Sequence, residues 1–97
     1  MKMLNMNYID AVRVKIYGRV QGVYYRASTR EKAQSLALRG WVRNLEDGSV
    51  ELWAEGSPPA LADLLAWCAV GPAQAVVERV QEEPVKPKGY GVFEIRP

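Results

Sequence analysis

The chain has 97 residues, 48% apolar and 25% charged, enough for one globular domain with a buried core and too few for two. Thirteen Lys and Arg against eleven Asp and Glu leave a net charge of +2, a mixed surface without the basic footprint of a nucleic-acid binder. There is no histidine, which removes the commonest general base and metal ligand, and the lone Cys68 excludes an intrachain disulfide.

Residues 1–10 read as a flexible leader and 11–97 as the domain. The leader has neither the charge nor the apolar run of a secretory signal, and no later stretch is apolar enough to span a membrane. A cytoplasmic setting with no membrane partner is expected.

Val12, Val14 and Ile16 alternate with Arg13, Lys15 and Tyr17, a half-buried first strand ending at Gly18. The segment Gly18-Arg19-Val20-Gln21-Gly22-Val23-Tyr24-Tyr25-Arg26 then joins strand to helix. Its glycines permit a turn that exposes backbone N–H groups, and its arginine falls where the helix begins, which suits a phosphate-sized anion. A tight strand-to-helix turn would explain the same glycines. The lysine-ended nucleotide loop is absent, and Gln74, not arginine, follows Cys68 by six positions, so a cysteine phosphatase loop is excluded.

A helix is expected from about Tyr25 to Leu38, with Thr29, Ala33, Leu36 and Ala37 at helical spacing and Gly40 punctuating its end. Trp41 to Leu45 reads as a second strand, Glu46-Asp47-Gly48 as a hairpin turn, and Ser49 to Glu55 as a third strand stopped by Gly56. Ser57-Pro58 starts a second helix with Leu61, Leu64, Leu65 and Cys68 on one apolar face. Cys68 therefore reads as core. Ala75 to Gln81 is a fourth strand whose poor alternation points to a bulge. Glu82 to Gly89, with two prolines, reads as a loop, and Val92 to Arg96 as a short last strand.

The order β-α-β-β-α-β with an extra strand is α+β, a ferredoxin-like sandwich: an antiparallel sheet with both helices on one face. That arrangement hosts many functions. An RNA-binding module would use Tyr17 and Trp53 as platforms, but Glu51 and Glu55 flank Trp53 on its face, and the expected basic-Gly-aromatic run is absent.

Two segments resemble a known family. The run from Gly18 to Arg26 is similar to the first signature of the acylphosphatases. Gly40-Trp41-Val42-Arg43-Asn44-Leu45-Glu46-Asp47-Gly48-Ser49-Val50, closed by Gly56, is similar to the second. The resemblance covers nearly the whole chain from about Ala11. It implies the ferredoxin-like fold and hydrolysis of the carboxyl–phosphate bond of small acyl phosphates, with inorganic phosphate as product and competitive inhibitor. It places phosphate binding on the backbone of Arg19, Val20, Gln21, Gly22, Val23 and Tyr24 and on Arg26, and water orientation on Asn44. No metal and no cofactor are implied, and a monomer is expected.

Tyr25 departs from the family's usual Phe or Met, and its hydroxyl needs a partner if buried. Leu45 stands where several members carry a small hydroxyl residue, which removes a supporting hydrogen bond. A domain that binds phosphorylated or carbamoylated ligands without productive turnover, as part of a maturation or regulatory system and of the kind found fused to larger proteins, is the alternative within the same family.

Overall fold

The computed structural model describes residues 8–97, so residues 1–7 of the expected leader lie outside the described residues. The chain runs β1 (Asp10–Arg19), α1 (Tyr25–Ser35), β2 (Arg39–Asn44), β3 (Val50–Gly56), α2 (Pro58–Cys68), β4 (Val76–Val85) and β5 (Phe93–Ile95). The strands form one sheet ordered β4-β1-β3-β2-β5. The pairs β1–β3, β1–β4 and β2–β3 are antiparallel. The extra strand β5 joins β2 in parallel, so the ferredoxin-like sheet is mixed, not wholly antiparallel.

Register explains the core. Val12, Val14 and Ile16 lie opposite Ala54, Leu52 and Val50, and Val42 lies opposite Leu52. With a side-chain period of two, all of these face one side. There α1 packs on β2 and β5, and α2 on β1 and β3. Ala33, Leu61, Leu64 and the free thiol of Cys68 complete the buried cluster. Burial pushes the Cys68 thiol up to about 12, so it is an inert core residue.

Three boundaries differ from expectation. Helix α1 stops at Ser35 because Ala37 takes a left-handed φ of 58°, while Leu38 N–H donates to Ala33 O and Ala37 N–H to Gln34 O. That closure is a Schellman motif built without glycine. Gly40 is therefore not the helix punctuation. It lies inside β2, where a Cβ would sit 1.8 Å from the Trp53 carbonyl oxygen. Strand β4 continues through Glu82 to Val85, since it is an edge strand and Pro84 breaks no interior ladder there.

The β4 alternation fails for a structural reason. Tyr17 pairs with Arg79 but Gly18 pairs with Val77, leaving Glu78 as an extra residue. The bulge puts Val77 and Val80, three positions apart, against the same core.

The opposite sheet face is partly covered by the segment after β4. Trp41 and Trp53 stack at 6.4 Å, and Tyr90 meets Trp53 edge-on. Buried Glu55 accepts from Trp53 Nε1 and from the N–H groups of Lys88, Gly89 and Tyr90. Burial alone would raise its pKa, but these four donors together outweigh it and hold the carboxyl below its ordinary value. The Trp53 ring is thus enclosed, and the Arg79 guanidinium lies 4.2 Å from the centroid of Tyr17.

Candidate active site

The site grows from the break between β1 and α1. Gly18 has φ 131°, and a Cβ there would lie 2.1 Å from the Val76 carbonyl oxygen, so only glycine lets β1 leave the sheet beside the bulge. Val20 and Val23 then plug into the core at 1% and 5% exposure. Gly22, at φ 74°, has nothing within 4 Å of its Cβ position. The intervening backbone is thereby pinned from below and open above.

Helix α1 starts without a side-chain cap and without an acidic residue in its first turn. No acceptor for the N–H groups of residues 20–27 is found among the described residues. Unpaired donors at a helix N-terminus carry the positive end of the helix dipole, a setting that attracts an anion. Arg26, in the first turn, adds a half-buried guanidinium.

Asn44 arrives from the other half of the molecule. It ends β2 opposite Val50, in the row that includes Ile16, and so points to the helix side of the sheet. Its Oδ1 is buried and has no hydrogen-bond partner among the described residues. An unpaired buried acceptor costs about 1–3 kcal/mol, so it calls for a partner from outside the chain, such as a water.

A cavity of about 330 Å³ joins these parts, lined by Val20, Gly22, Tyr24, Tyr25, Arg26, Ala27, Asn44 and Ile95. Of the residues singled out in the sequence, Arg19, Gln21 and Val23 do not line it. Arg19 is exposed and pairs with Val76, and Val23 is core.

Gln21 has a side-chain role that the sequence did not signal. Its Nε2 donates to the carbonyls of Leu45, at 2.8 Å, and Ser49, at 2.9 Å. One amide thus ties the loop to the turn that follows Asn44. Ile95 was also missed, because only the parallel docking of β5 beside Val42 brings it to the cavity. The Tyr25 hydroxyl finds the partner it needs, donating to Cys68 O at 2.7 Å, while its ring packs against Trp67. Burial raises the phenol's pKa, so it serves as a fixed donor.

The acylphosphatase family model matches residues 12–95 of this chain. The chain belongs to the acylphosphatase family. A curated acylphosphatase of Chloroflexus aurantiacus is 49% identical over 90 residues, covering 90% of this chain and 98% of that one. The solved acylphosphatase of Coxiella burnetii superposes with a TM-score of 0.91 at 38% identity, covering 96% of this chain and all of that one. The fold also matches part of a longer protein, full-length HypF in its phosphate- and nucleotide-bound form. There the TM-score is 0.86 at 25% identity, over 96% of this chain and 12% of that chain. Membership makes the protein an enzyme of the acylphosphatase class, a hydrolase.

Proposed function

We propose that this acylphosphatase hydrolyses small acyl phosphates without a metal, using Arg26 and the loop N–H groups to hold the phosphoryl group and Asn44 to place the attacking water. The observation that carries the proposal is the buried, unpartnered Oδ1 of Asn44 in the same cavity as Arg26 and the uncapped start of α1.

The chemistry asks little else. Water attacks phosphorus in line with the leaving carboxylate, a phosphorus–oxygen bond forms as the bond to the acyl oxygen breaks, and the acyl group departs as a carboxylate. The water's proton passes to a phosphoryl oxygen, giving dihydrogen phosphate, so atoms and charge balance. A carboxylate leaves readily, so no strong general acid is required. Catalysis reduces to positioning and charge neutralisation, which a chain lacking histidine can supply. Asn44 accepts a hydrogen bond from water but is too weak a base to deprotonate it. Arg26 contributes positive charge and N–H donors to the phosphoryl oxygens and takes no proton from the water. The substrate is a small molecule, and the protein is expected to act as a monomer in the cytoplasm.

The test offers acetyl phosphate and benzoyl phosphate in the presence of a chelator. Wild type should turn over both, with inorganic phosphate inhibiting competitively. Arg26→Ala should weaken phosphate inhibition and lower kcat together, because the guanidinium touches ground state and transition state alike. A wild type that binds phosphate but releases no carboxylate would instead favour a ligand-binding domain. Activity abolished by the chelator and restored by a divalent cation would refute metal independence.

A further inference from the structure

The cavity lining is of two chemical kinds. Arg26, Asn44 and the loop backbone are polar, whereas Val20, Tyr24, Tyr25, Ala27 and Ile95 bring apolar groups. Nothing in phosphate binding needs them, and the phosphoryl group is common to every acyl phosphate. Discrimination between substrates must therefore come from what meets the acyl group.

Tyr24 stands out among these residues. It is 79% exposed although it lines the cavity, which puts the residue at the cavity's rim. It also holds a left-handed φ of 64°, ψ 23°, as the residue before α1. That conformation carries no Cβ cost for glycine and a real one for tyrosine. A large apolar group is thus kept in solvent, on a backbone that disfavours it, beside the reactive site. No core contact accounts for it, since Tyr24 is not part of the buried cluster.

We propose that Tyr24 is a specificity-determining residue, its ring forming with Ile95 and Ala27 an apolar mouth that selects aryl and other bulky apolar acyl phosphates over acetyl phosphate. The inference rests on the acyl phosphate reading above. An arene emerging from the phosphoryl site would meet the ring of Tyr24, whose backbone is fixed at the helix start, and aromatic pairs add free energy beyond simple burial. A methyl group reaches too little of that surface to benefit.

The experiment measures kcat/KM for benzoyl phosphate and acetyl phosphate in wild type, Tyr24→Gly and Tyr24→Phe. Any change in the loop's hold on phosphate affects both substrates and cancels in their ratio. Glycine is at ease at a left-handed position, so the Tyr24→Gly protein should fold. The benzoyl-to-acetyl ratio should fall by about two- to tenfold in Tyr24→Gly, the size of an aromatic pairing. Tyr24→Phe, which keeps the ring, should stay within about twofold of wild type. An unchanged ratio in Tyr24→Gly, or an equal fall in Tyr24→Phe, overturns the inference while leaving the reaction assignment intact. A wild type inactive on both substrates overturns the two together.

Discussion

Replacing Gln21 with alanine separates the two halves of the site without touching either Arg26 or Asn44. Two hydrogen bonds are lost, at 2.8 and 2.9 Å. Neither carbonyl is orphaned: Leu45 O still receives Gly48 N–H, and Ser49 O still receives Leu45 N–H. The loss is therefore only the net worth of two amide bonds, about 1–3 kcal/mol. For a domain of this size that lowers the melting midpoint by roughly 4–8 °C for each kcal/mol. The kinetic cost is separate. The loop between β1 and α1, proposed to hold phosphate, would no longer be registered against the turn that follows Asn44, and a misplacement on the order of 1 Å between reacting groups costs about 100-fold. Allowing for partial recovery of geometry, kcat should fall about 10- to 100-fold at a temperature where the variant is fully folded. Thermal unfolding and steady-state kinetics on benzoyl phosphate read the two effects independently. A lowered midpoint with unchanged kcat would show that the clamp only stabilises. An unchanged midpoint would show that the two bonds do not persist in solution.

Other expectations follow from the packing. Tyr25→Phe deletes one buried hydrogen bond to Cys68 O near the end of α2 and should cost about 1–2 kcal/mol by denaturant unfolding. Its kcat should hold, because the hydroxyl points away from the chemistry; a large loss of rate would contradict that. Glu55→Gln places an amide where Lys88, Gly89 and Tyr90 all donate, and should destabilise the fold by about 2–4 kcal/mol at neutral pH. The carboxyl's pKa is depressed in the folded state, so its contribution is complete above its ordinary value of 4.5 and is lost as pH falls through the lowered folded value. The gap between wild type and Glu55→Gln should therefore narrow on acidification. A gap that stays constant from neutral to strongly acidic pH would deny the carboxylate this role.

The elements whose pattern is local were legible in the sequence. The β1 alternation, the Asp-Gly hairpin and the Ser57-Pro58 helix start each announce themselves through periodicity or turn chemistry, and Ser57 Oγ does accept from Ala60 N–H. The rest depended on tertiary partners. Ala37 ends α1 in a conformation that glycine usually takes, and Gly40 answers to the Trp53 carbonyl across the sheet. Neither is written in its neighbours. Strand β4 reads as loop where its exposed residues are polar, because an edge strand buries little and the ladder to β1 supplies what side chains do not. At the site, Arg26 and Asn44 were visible as motif residues, but the Gln21 clamp, Ile95 and the orphaned Oδ1 depend on distances across the fold.

The central claim is that Asn44 positions water and does not hold phosphate. Its most direct test is Asn44→Ala, measured for both kcat and the inhibition constant of inorganic phosphate. Removing one oriented hydrogen bond to the nucleophile should lower kcat by about 100-fold or more, with the phosphate constant nearly unchanged. A variant that keeps its rate, or loses phosphate affinity as steeply as it loses kcat, would contradict the account.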